Sequence, residues 1–416
     1  MCIRDSTGER IVARRRAPDF YSTFEISWSP DGKLIANVAG TTMKDQAARI
    51  VGVNVETGEE QLLSESQWSA GDGLEWLPDG SGLIAGLFER PNAPTQVWLI
   101  PYPSGEPRRI TNDLNNYGSV GVSADGKTVM AGQFKDHSSL WIVPHANPDE
   151  ARSVTSEKHH LFRWVRWAPN GTLLFGSTAN SRRDVWVMNP DGSGQRQLTS
   201  DDSTNVMPIA SPDGRHIVFA STRAGKDAFN LWRTEANGGG LAQLTAGNGE
   251  TQPEISPDGK WVFYTSGPMD GPPLQRRVWR ISLTGGGEPD QLTDAPAYAP
   301  DVSPDGRYVA CWYKADNQTP WKVAIIPAEG GRPVKLLDIP QTNAVRWTPD
   351  GKGISFVKTA DGVSNVWTQD LNGGPPVQVT KFTTEQIFNF DWFGDGRLVC
   401  SRIFKTRDIV LIRNFR

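Results

Sequence analysis

The chain has few residues of the kinds that bind metals or form disulfides. Its 416 residues include three cysteines, Cys2, Cys311 and Cys400, and five histidines. The cysteine spacing matches neither a zinc site nor a redox pair, and three cysteines are too few for a disulfide framework. Cys311 and Cys400 stand in apolar, strand-like runs, so we expect them to be small buried residues.

Long apolar runs and strong charge of one sign are also missing. No apolar stretch approaches the roughly 20 residues that a transmembrane helix needs, so we expect no membrane segment in this chain. The formal net charge is -4 at pH 7, which argues against nucleic-acid binding by bulk charge. With 37% hydrophobic and 22% charged residues, the composition is that of a folded globular protein.

Catalytic signatures are absent as well. The sequence has no Gly-x-Ser-x-Gly elbow, no His-Arg-Asp or Asp-Phe-Gly kinase motif and no His-Glu-x-x-His metal motif. The adjacent His159 and His160 lack further ligands that the sequence can identify. We therefore predict no catalytic, cofactor-binding or metal-binding residues and classify the chain as a non-enzyme without a cofactor.

Glycine and proline are abundant instead, and a turn tetrad repeats along the whole chain. It reads Ser-Pro-Asp-Gly, or a close variant, nine times, with copies 43 to 48 residues apart. This period, with strand-like segments between the copies, is typical of four-stranded propeller blades. The third residues of the tetrads anchor the nine units: Asp31, Asp79, Asp125, Asn170, Asp213, Asp258, Asp305, Asp350 and Asp395.

One unit shows the predicted strands. Around Asp213, "NVMPIA" leads into the tetrad, "RHIVFAST" follows it, and "NLWRTEA" and "LAQLT" complete four short strands. The tetrad predicts the hairpin turn between the first two strands, with each Asp capping its own turn rather than joining a ring of carboxylates. We expect the third-strand tryptophans to pack against the next blade; they are Trp98, Trp141, Trp186, Trp232, Trp279 and Trp367.

The ends of the chain leave the ring size open. The opening "MCIRDS" resembles a translated sequencing adapter, so we treat residues 1–6 as a probable non-native scar and residues 7–416 as propeller. Gly8–Arg15 can serve as the fourth strand that closes the last, three-stranded unit. The nine units then form one ring of eight or nine blades, or a six- to eight-bladed ring plus part of a neighbour.

The tetrad, the "VW" third strand and the "GG…QLT" fourth strand resemble the TolB-like, WD-like (PD-type) propeller repeats. More remotely they are similar to the propellers of tricorn protease and dipeptidyl peptidase IV. The ending "SRIFKTRDIVLIRNFR" resembles the C-terminus of bacterial sensors in which such a propeller follows a serine/threonine kinase or a winged-helix domain. The resemblance implies an all-β propeller in the periplasm or another extracytoplasmic compartment.

Ligand sites in propellers usually lie opposite the tetrad turns, on the second-to-third-strand loops and the inter-blade loops. The former loops each hold a basic residue, but neighbouring acids nearly cancel the charge, so solvated loops are the better interpretation. Aromatic residues of the latter loops are able to anchor a peptide or glycan, or to pack inward instead. The candidate residues are Tyr21, Trp68, Tyr117, His160, Tyr298, Arg182, Arg223 and Arg276.

We therefore predict a monomeric, non-catalytic propeller that binds a protein, peptide or small ligand, as the extracytoplasmic sensor of a bacterial signalling protein. Two alternatives remain: a propeller that gates a serine peptidase, and a TolB-like periplasmic envelope scaffold. The sequence of the loops does not identify the ligand.

Overall fold

Strands make up nearly all the regular structure of the described residues. The computed structural model describes residues 2–5, 8–16, 19–41, 48–89, 93–113, 115–155, 162–178, 183–225, 228–247, 249–268, 273–316, 318–342 and 344–416. The chain forms two compact units: the first is Met1–Asp136 with Lys405–Arg416, and the second is His137–Phe404.

The first unit contains a two-stranded hairpin, β1 and β2, and two four-stranded sheets, β3–β6 and β7–β10. Strand β11 pairs with the long strand β12, which continues past the boundary of the unit. The strands are β1 Cys2–Asp5, β2 Gly8–Ile11, β3 Asp19–Trp28, β4 Leu34–Thr41, β5 Ala48–Asn54, β6 Glu60–Leu62, β7 Ala70–Trp76, β8 Gly82–Phe88, β9 Gln96–Pro101, β10 Arg108–Arg109, β11 Asn116–Val122 and β12 Thr128–Val143.

The second unit contains the remaining strands, although the last of them continues from Lys405 into the first unit, and three 3-10 helices at Pro144–Ala146, Pro148–Glu150 and Pro273–Gln275. The strands are β13 Arg152–Ser153, β14 Arg163–Trp167, β15 Leu173–Ser177, β16 Asp184–Met188, β17 Arg196–Gln197, β18 Asn205–Ala210, β19 His216–Ser221, β20 Asn230–Glu235, β21 Ala242–Gln243, β22 Thr251–Ile255, β23 Trp261–Ser266, β24 Arg277–Ser282, β25 Asp290–Gln291, β26 Ala297–Val302, β27 Tyr308–Tyr313, β28 Lys322–Pro327, β29 Lys335–Leu337, β30 Val345–Trp347, β31 Gly353–Ala360, β32 Val363–Asp370, β33 Val377–Gln378, β34 Gln386–Trp392 and β35 Leu398–Arg413.

Six four-stranded sheets form a closed ring in the second unit. Blade 1 combines β34, the first part of β35, the last part of β12 and β13; blades 2 to 6 are β14–β17, β18–β21, β22–β25, β26–β29 and β30–β33. The first strands contact one another in the order β34, β14, β18, β22, β26 and β30, and β32 of blade 6 contacts β34 of blade 1. Blade 1 is built from both ends of the unit, so its sheet closes the ring.

Apolar packing joins every pair of neighbouring blades. Separate clusters of buried residues fill the interfaces between blades 1 and 2, 2 and 3, 3 and 4, 4 and 5, 5 and 6, and 6 and 1. Each blade also contributes one large aromatic side chain that is fully buried. In blade order these are Phe390, Phe175, Phe219, Phe263, Trp312 and Phe356.

This arrangement corrects two expectations about ring closure. The nine units do not form a single ring, because the last tetrad unit pairs with β12 rather than with the start of the chain. Gly8–Ile11 pairs with Cys2–Asp5 in a separate hairpin, so Gly8–Arg15 is not the closing strand. A six-bladed ring with further blades in another unit is the alternative that the sheets support.

The third-strand tryptophans pack against the preceding blade, not the next one. Trp186, Trp232 and Trp279 border the clusters that their blades share with blades 1, 2 and 3, respectively. A tryptophan at this register therefore covers the sheet that comes before it in the chain. The expectation of packing at a blade interface is right, but its direction was wrong.

The tetrad forms the turn that the sequence predicts. In blade 3, Gly214 has a φ of 69°, and its amide donates to the carbonyl of Ser211 over 2.8 Å. Asp213 Oδ1 accepts hydrogen bonds from Ser211 Oγ at 2.5 Å and from the Arg215 amide at 3.0 Å. The same hydroxyl accepts the His216 amide at 2.9 Å, so the serine ties the turn to the start of β19.

The threonine of the "QLT" segment has an equally regular role. Thr199, Thr245 and Thr293 each accept a hydrogen bond from a third-strand amide at 2.9 to 3.1 Å. The glutamine two residues earlier, as in Gln197, donates to the threonine carbonyl at 2.7 Å. These bonds hold a fourth strand that is itself only two residues long.

Replacing Ser211 with alanine tests the turn. The change removes two hydrogen bonds from a buried hydroxyl, and a typical bond contributes about 0.5–1.5 kcal/mol. We expect the free energy of unfolding to fall by about 1–3 kcal/mol in denaturant titrations. Ser193→Ala, in an exposed hairpin of blade 2, is the control, and an equal loss in both variants would contradict the role of the tetrad serine.

The lowered pKa values of the turn aspartates predict that the free energy of unfolding depends on pH. Hydrogen bonds from the tetrad serine and then from a backbone amide lower the pKa of Asp31, Asp125, Asp213 and Asp305. Because the folded-state pKa lies below the unfolded value of about 3.9, this stabilisation is complete above that pH. It is lost as pH falls through the folded-state values, and Ser211→Ala should raise the carboxyl pKa of Asp213 in an NMR titration.

Candidate functional site

The first strands of the second unit carry a repeated β-bulge near the edge opposite the tetrad turns. Register shifts interrupt their pairing with the second strands in blades 1 to 5. Four non-glycine residues at these bulges have φ between 50° and 56°, a conformation that such residues rarely adopt. They are Trp164, Met207, Gln252 and Ala299, and Phe388 lies at the bulge of blade 1.

Contacts join three neighbouring pairs among these five residues, which we call the collar. The rings of Trp164 and Phe388 meet edge to face, with centroids 5.6 Å apart. The Gln252 backbone amide donates to the sulfur of Met207 at 3.3 Å, and Gln252 Oε1 accepts the Ala299 backbone amide at 3.1 Å. These contacts connect the bulges of blades 1 and 2, of blades 3 and 4, and of blades 4 and 5.

A small open cavity lies among the collar residues. Its volume is about 60 Å³, enough for a few water molecules or one polar group of a ligand. Arg346 and Asn389 line it and are 8% and 6% exposed. Arg346 Nε and Asn389 Oδ1 are buried and make no hydrogen bond with the described residues, although Arg346 Nε lies 3.6 Å from Asp391 Oδ1 in an ion pair.

A buried charge cluster continues from the cavity along the first strands. Arg166 pairs with Glu254, with Asp391 at 3.1 Å and with Asp301 at 3.9 Å. Arg346 lies 3.6 Å from both Asp301 and Asp391. Two guanidinium groups thus face three carboxyl groups from five of the six blades.

Burial shapes the protonation of this cluster. It raises the pKa of Glu254, and burial together with the nearby Glu254 raises the pKa of Asp301; Arg166 and Arg346 oppose both shifts. Burial also disfavours the charged form of Arg166, but the three carboxyl groups outweigh it and raise the pKa of Arg166. The guanidinium groups stay charged. Glu254 and Asp301 are the acids that take up a proton most easily, because their pKa is raised.

Two of the carboxylates also connect neighbouring blades. Asp301 of blade 5 accepts the Trp347 amide of blade 6 at 2.6 Å. Asp391 of blade 1 accepts the Trp167 amide of blade 2 at 2.8 Å. The cluster therefore holds the inner strands together beneath the collar.

Sequence reasoning missed this cluster although a signal was present. Arg166, Glu254, Asp301, Arg346 and Asp391 each stand two residues before a tetrad, at one register position of the first strand. Charged residues that recur at one position of the first strands indicate side chains that meet one another in the folded ring. The residue at this position in blade 3 is Ile209.

Two of the predicted site residues come together beside the collar. Tyr298 directly precedes Ala299 in the sequence. The Arg276 guanidinium lies 6.0 Å from the ring centroid of Tyr298. The Tyr298 hydroxyl accepts a 2.6 Å hydrogen bond from Gln341, and Trp321 packs edge to face on the ring at 5.1 Å. Burial raises the pKa of Tyr298.

Other predicted residues make internal contacts. Arg223 is paired with Asp201 at 2.7 Å and lies over the rings of Phe219 and Trp232. In the first unit, the Tyr21 hydroxyl donates to Glu60 at 2.8 Å. Both side chains are already engaged in contacts within their own units.

Four predicted residues remain. Trp68 and Tyr117 are each 4% exposed and belong to apolar clusters of the first unit, which is the packing alternative for these loops. His160 and Arg182 lie outside the described residues.

Metal-ligand and thiol chemistry depends on how the His, Cys, Asp and Glu side chains are placed. Among the described residues, no group of three or more His, Cys, Asp and Glu side chains is arranged to hold a metal ion. Burial raises the pKa of Cys311 and Cys400 to about 12, so these thiols stay protonated, as expected for buried cysteines. None of the described helices is long and apolar enough to cross a membrane.

Relatives of this chain include bacterial proteins of several kinds. The uncharacterized protein Atu1656 of Agrobacterium fabrum is 28% identical over 245 residues, which are 58% of this chain and 76% of that protein. Dipeptidyl-peptidase 5 of Porphyromonas gingivalis is 35% identical over 166 residues, covering 37% of this chain and 24% of the peptidase. The Tol-Pal system protein TolB of Francisella tularensis is 20% identical over 196 residues, 46% and 44% of the two chains.

The match thus spans about a quarter of the peptidase and less than half of TolB. Among solved structures, a putative TolB from Agrobacterium tumefaciens has 19% identity and a TM-score of 0.31, over 75% of this chain and 95% of that chain. TolB from Acinetobacter baumannii has 16% identity and a TM-score of 0.32, over 77% and 65%.

A protein-family model matches the repeated part of the chain. The model PD40, described as the TolB beta propeller domain, matches residues 119–340, which is more than half of the chain. Its match extends across the whole of blades 2 to 5, which carry the tetrads at Asn170, Asp213, Asp258 and Asp305. Together with the six closed, four-stranded blades, this match shows that the chain belongs to the TolB β-propeller domain family.

Proposed function

We propose that this protein is a non-catalytic propeller that binds a protein or peptide segment at the collar of its second unit. The ending Ser401–Arg416 resembles the C-terminus of bacterial sensors, so we assign the binding to the extracytoplasmic part of a signalling protein. A TolB-like envelope scaffold is the close alternative.

A buried amide oxygen without a partner at the cavity carries this proposal. Asn389 Oδ1 has no donor among the described residues and is removed from bulk solvent, and the nearby Arg346 Nε has only its ion pair with Asp391 at 3.6 Å. A buried polar group without a partner costs about 1–3 kcal/mol, which a ligand recovers by supplying the missing bond. A peptide group or a side-chain amide offers one donor and one acceptor close together, and the apolar collar accommodates its flanking side chains.

A second candidate, a substrate-gating propeller of a serine peptidase, is favoured by the match to dipeptidyl-peptidase 5. That match covers 24% of the peptidase, so it concerns one part of that protein. Gating requires passage along the ring axis, whereas the charge cluster of Arg166 and its three carboxyl partners occupies the inner strands there. Ligand capture at the collar is therefore the better account of this geometry.

Selection of peptides on the purified protein tests the proposal. Peptides enriched from a random library should bind Asn389→Leu about 5- to 150-fold more weakly than the natural chain. This range is the 1–3 kcal/mol of one buried hydrogen bond, since 1.4 kcal/mol is tenfold in affinity. Trp164→Ala should also weaken binding, because it removes an apolar wall of the cavity.

Asp213→Asn, in a tetrad turn at the opposite edge, is the matched control and should leave peptide affinity unchanged. Calorimetry would measure all three variants after circular dichroism has confirmed their fold. Equal affinity of the natural chain and Asn389→Leu for every enriched peptide would rule out the collar as the binding surface.

The charge cluster predicts a separate effect on stability. Arg166→Met leaves Glu254, Asp301 and Asp391 without their main counter-charge, and breaking a buried ion pair on one side costs about 3–5 kcal/mol. Glu254 and Asp301, whose pKa burial already raises, then lose the guanidinium that opposes this shift, so their pKa rises further. The deficit in unfolding free energy should shrink as pH falls from 8 to 5; a deficit independent of pH would contradict this account.

A further inference from the structure

A second cavity lies between blades 2 and 3, at the edge where the tetrad turns are. Its volume is about 200 Å³. Leu174, Val187 and Ile217 form its apolar wall, and Asn170 and Arg196 lie at its polar rim. We call it the inter-blade cavity; it is distinct from the collar and plays no part in the proposed function.

The interface between blades 4 and 5 shows what fills this place elsewhere in the ring. Trp261 packs there against the apolar cluster that the two blades share. The guanidinium of Arg280 lies 4.4 Å from the Trp261 ring centroid and donates to the carbonyl of Ala328 at 3.1 Å. An aromatic ring beneath an arginine thus closes that interface.

The register identifies Thr172 as the counterpart of Trp261 in blade 2. The Trp261 carbonyl accepts the amide of Ser256, the first tetrad residue, and the Thr172 carbonyl accepts the amide of Ala168 in the same way. The blade 2 turn is one residue shorter, which explains the offset in sequence. Blades 3 and 5 carry His216 and Tyr308 at this position, at the start of β19 and β27.

The cation is present at the inter-blade cavity, but it comes from another strand. Val187 stands where blade 4 has Arg280, one residue after the third-strand tryptophan. Arg196 of β17 reaches the equivalent carbonyl instead, donating to Ala236 at 3.3 Å. The cavity therefore has the guanidinium of the blade 4 arrangement and lacks the ring beneath it.

The tetrad glycines also show a gap between the turns of blades 2 and 3. A β-carbon built on Gly259, Gly306 or Gly351 would lie 3.5 to 3.8 Å from the tetrad proline of the preceding blade. One built on Gly214 of blade 3 would meet no described atom within 4 Å. The turns of blades 2 and 3 are thus separated, as are those of blades 6 and 1 at Gly396, whereas the turns of the three interfaces from blade 3 to blade 6 are in contact.

We infer that the inter-blade cavity is a binding site for a planar aromatic ring of a small molecule, held between Leu174, Val187 and Ile217 and covered by Arg196. The apolar walls favour transfer of the ring from water, and the guanidinium interacts with the ring face, as Arg280 does with Trp261. Indole, the side-chain ring of Trp261, is therefore the probe of choice.

Titration of the full chain with indole, followed by calorimetry and thermal unfolding, tests the site. We expect one saturable binding event and a rise in melting temperature. Thr172→Trp supplies the missing ring from the chain itself, so indole affinity should fall at least tenfold. Absence of saturable binding to the natural chain, or unchanged affinity in Thr172→Trp, would overturn the inference.

Two further arms use the repeat as its own control. Trp261→Thr opens the matching space between blades 4 and 5, so indole stoichiometry should rise from one to two and indole should restore part of the lost melting temperature. Cyclohexanol, which is not aromatic, should bind at least tenfold more weakly than indole, and equal binding would refute the aromatic requirement. If Trp261→Thr does not fold, Arg196→Gln replaces it and should weaken indole binding.

Discussion

Each blade of the second unit is apolar on both faces, and this constraint governs the rest of the structure. The second strands β19, β23 and β27 contain runs of four or five consecutive buried residues instead of alternating exposed and buried ones. A sheet of this kind needs a neighbour on either side. Closure into a ring gives every blade two neighbours, and blade 1, assembled from both ends of the unit, leaves no blade face uncovered.

Ring closure brings six first strands together and gives the two edges of the ring different properties. At one edge the polar groups of the tetrad form hydrogen bonds within their own turn, as Ser211 and Asp213 do. These groups do not depend on a ligand for a partner. At the other edge Asn389, next to the bulge of blade 1, and Arg346 of blade 6 line a cavity, and Asn389 Oδ1 has no hydrogen-bond partner there among the described residues. Between the two edges the charge cluster joins the inner strands, so the proposed binding at the collar and the stability of the ring both involve Arg346.

The sequence predicts the repeated features well and the singular ones poorly. The tetrad period, the four strands and the turn-capping aspartates follow from local rules, and the structure confirms them. Ring size did not follow, because β12 and β35 are 16-residue strands that run across the unit boundary without interruption. The charge cluster and the collar were missed because both depend on which residues of distant repeats meet at the ring axis. Among the predicted site residues, Tyr298 lies closest to the collar in sequence, since it directly precedes Ala299.

Departures from the repeat are therefore the places where function can reside, since residues that every blade shares are occupied in building the blade. Blade 2 departs from blade 4 in three ways: Ala168 replaces the tetrad serine, the turn is one residue shorter, and Thr172 and Val187 stand where blade 4 has Trp261 and Arg280. Blade 3 departs at Ile209, the position that is charged in the other five. A packing defect would lower stability without a return, because empty apolar volume forfeits contacts. That the chain keeps an arginine over this space, recruited from a different strand, is the reason to treat it as a site.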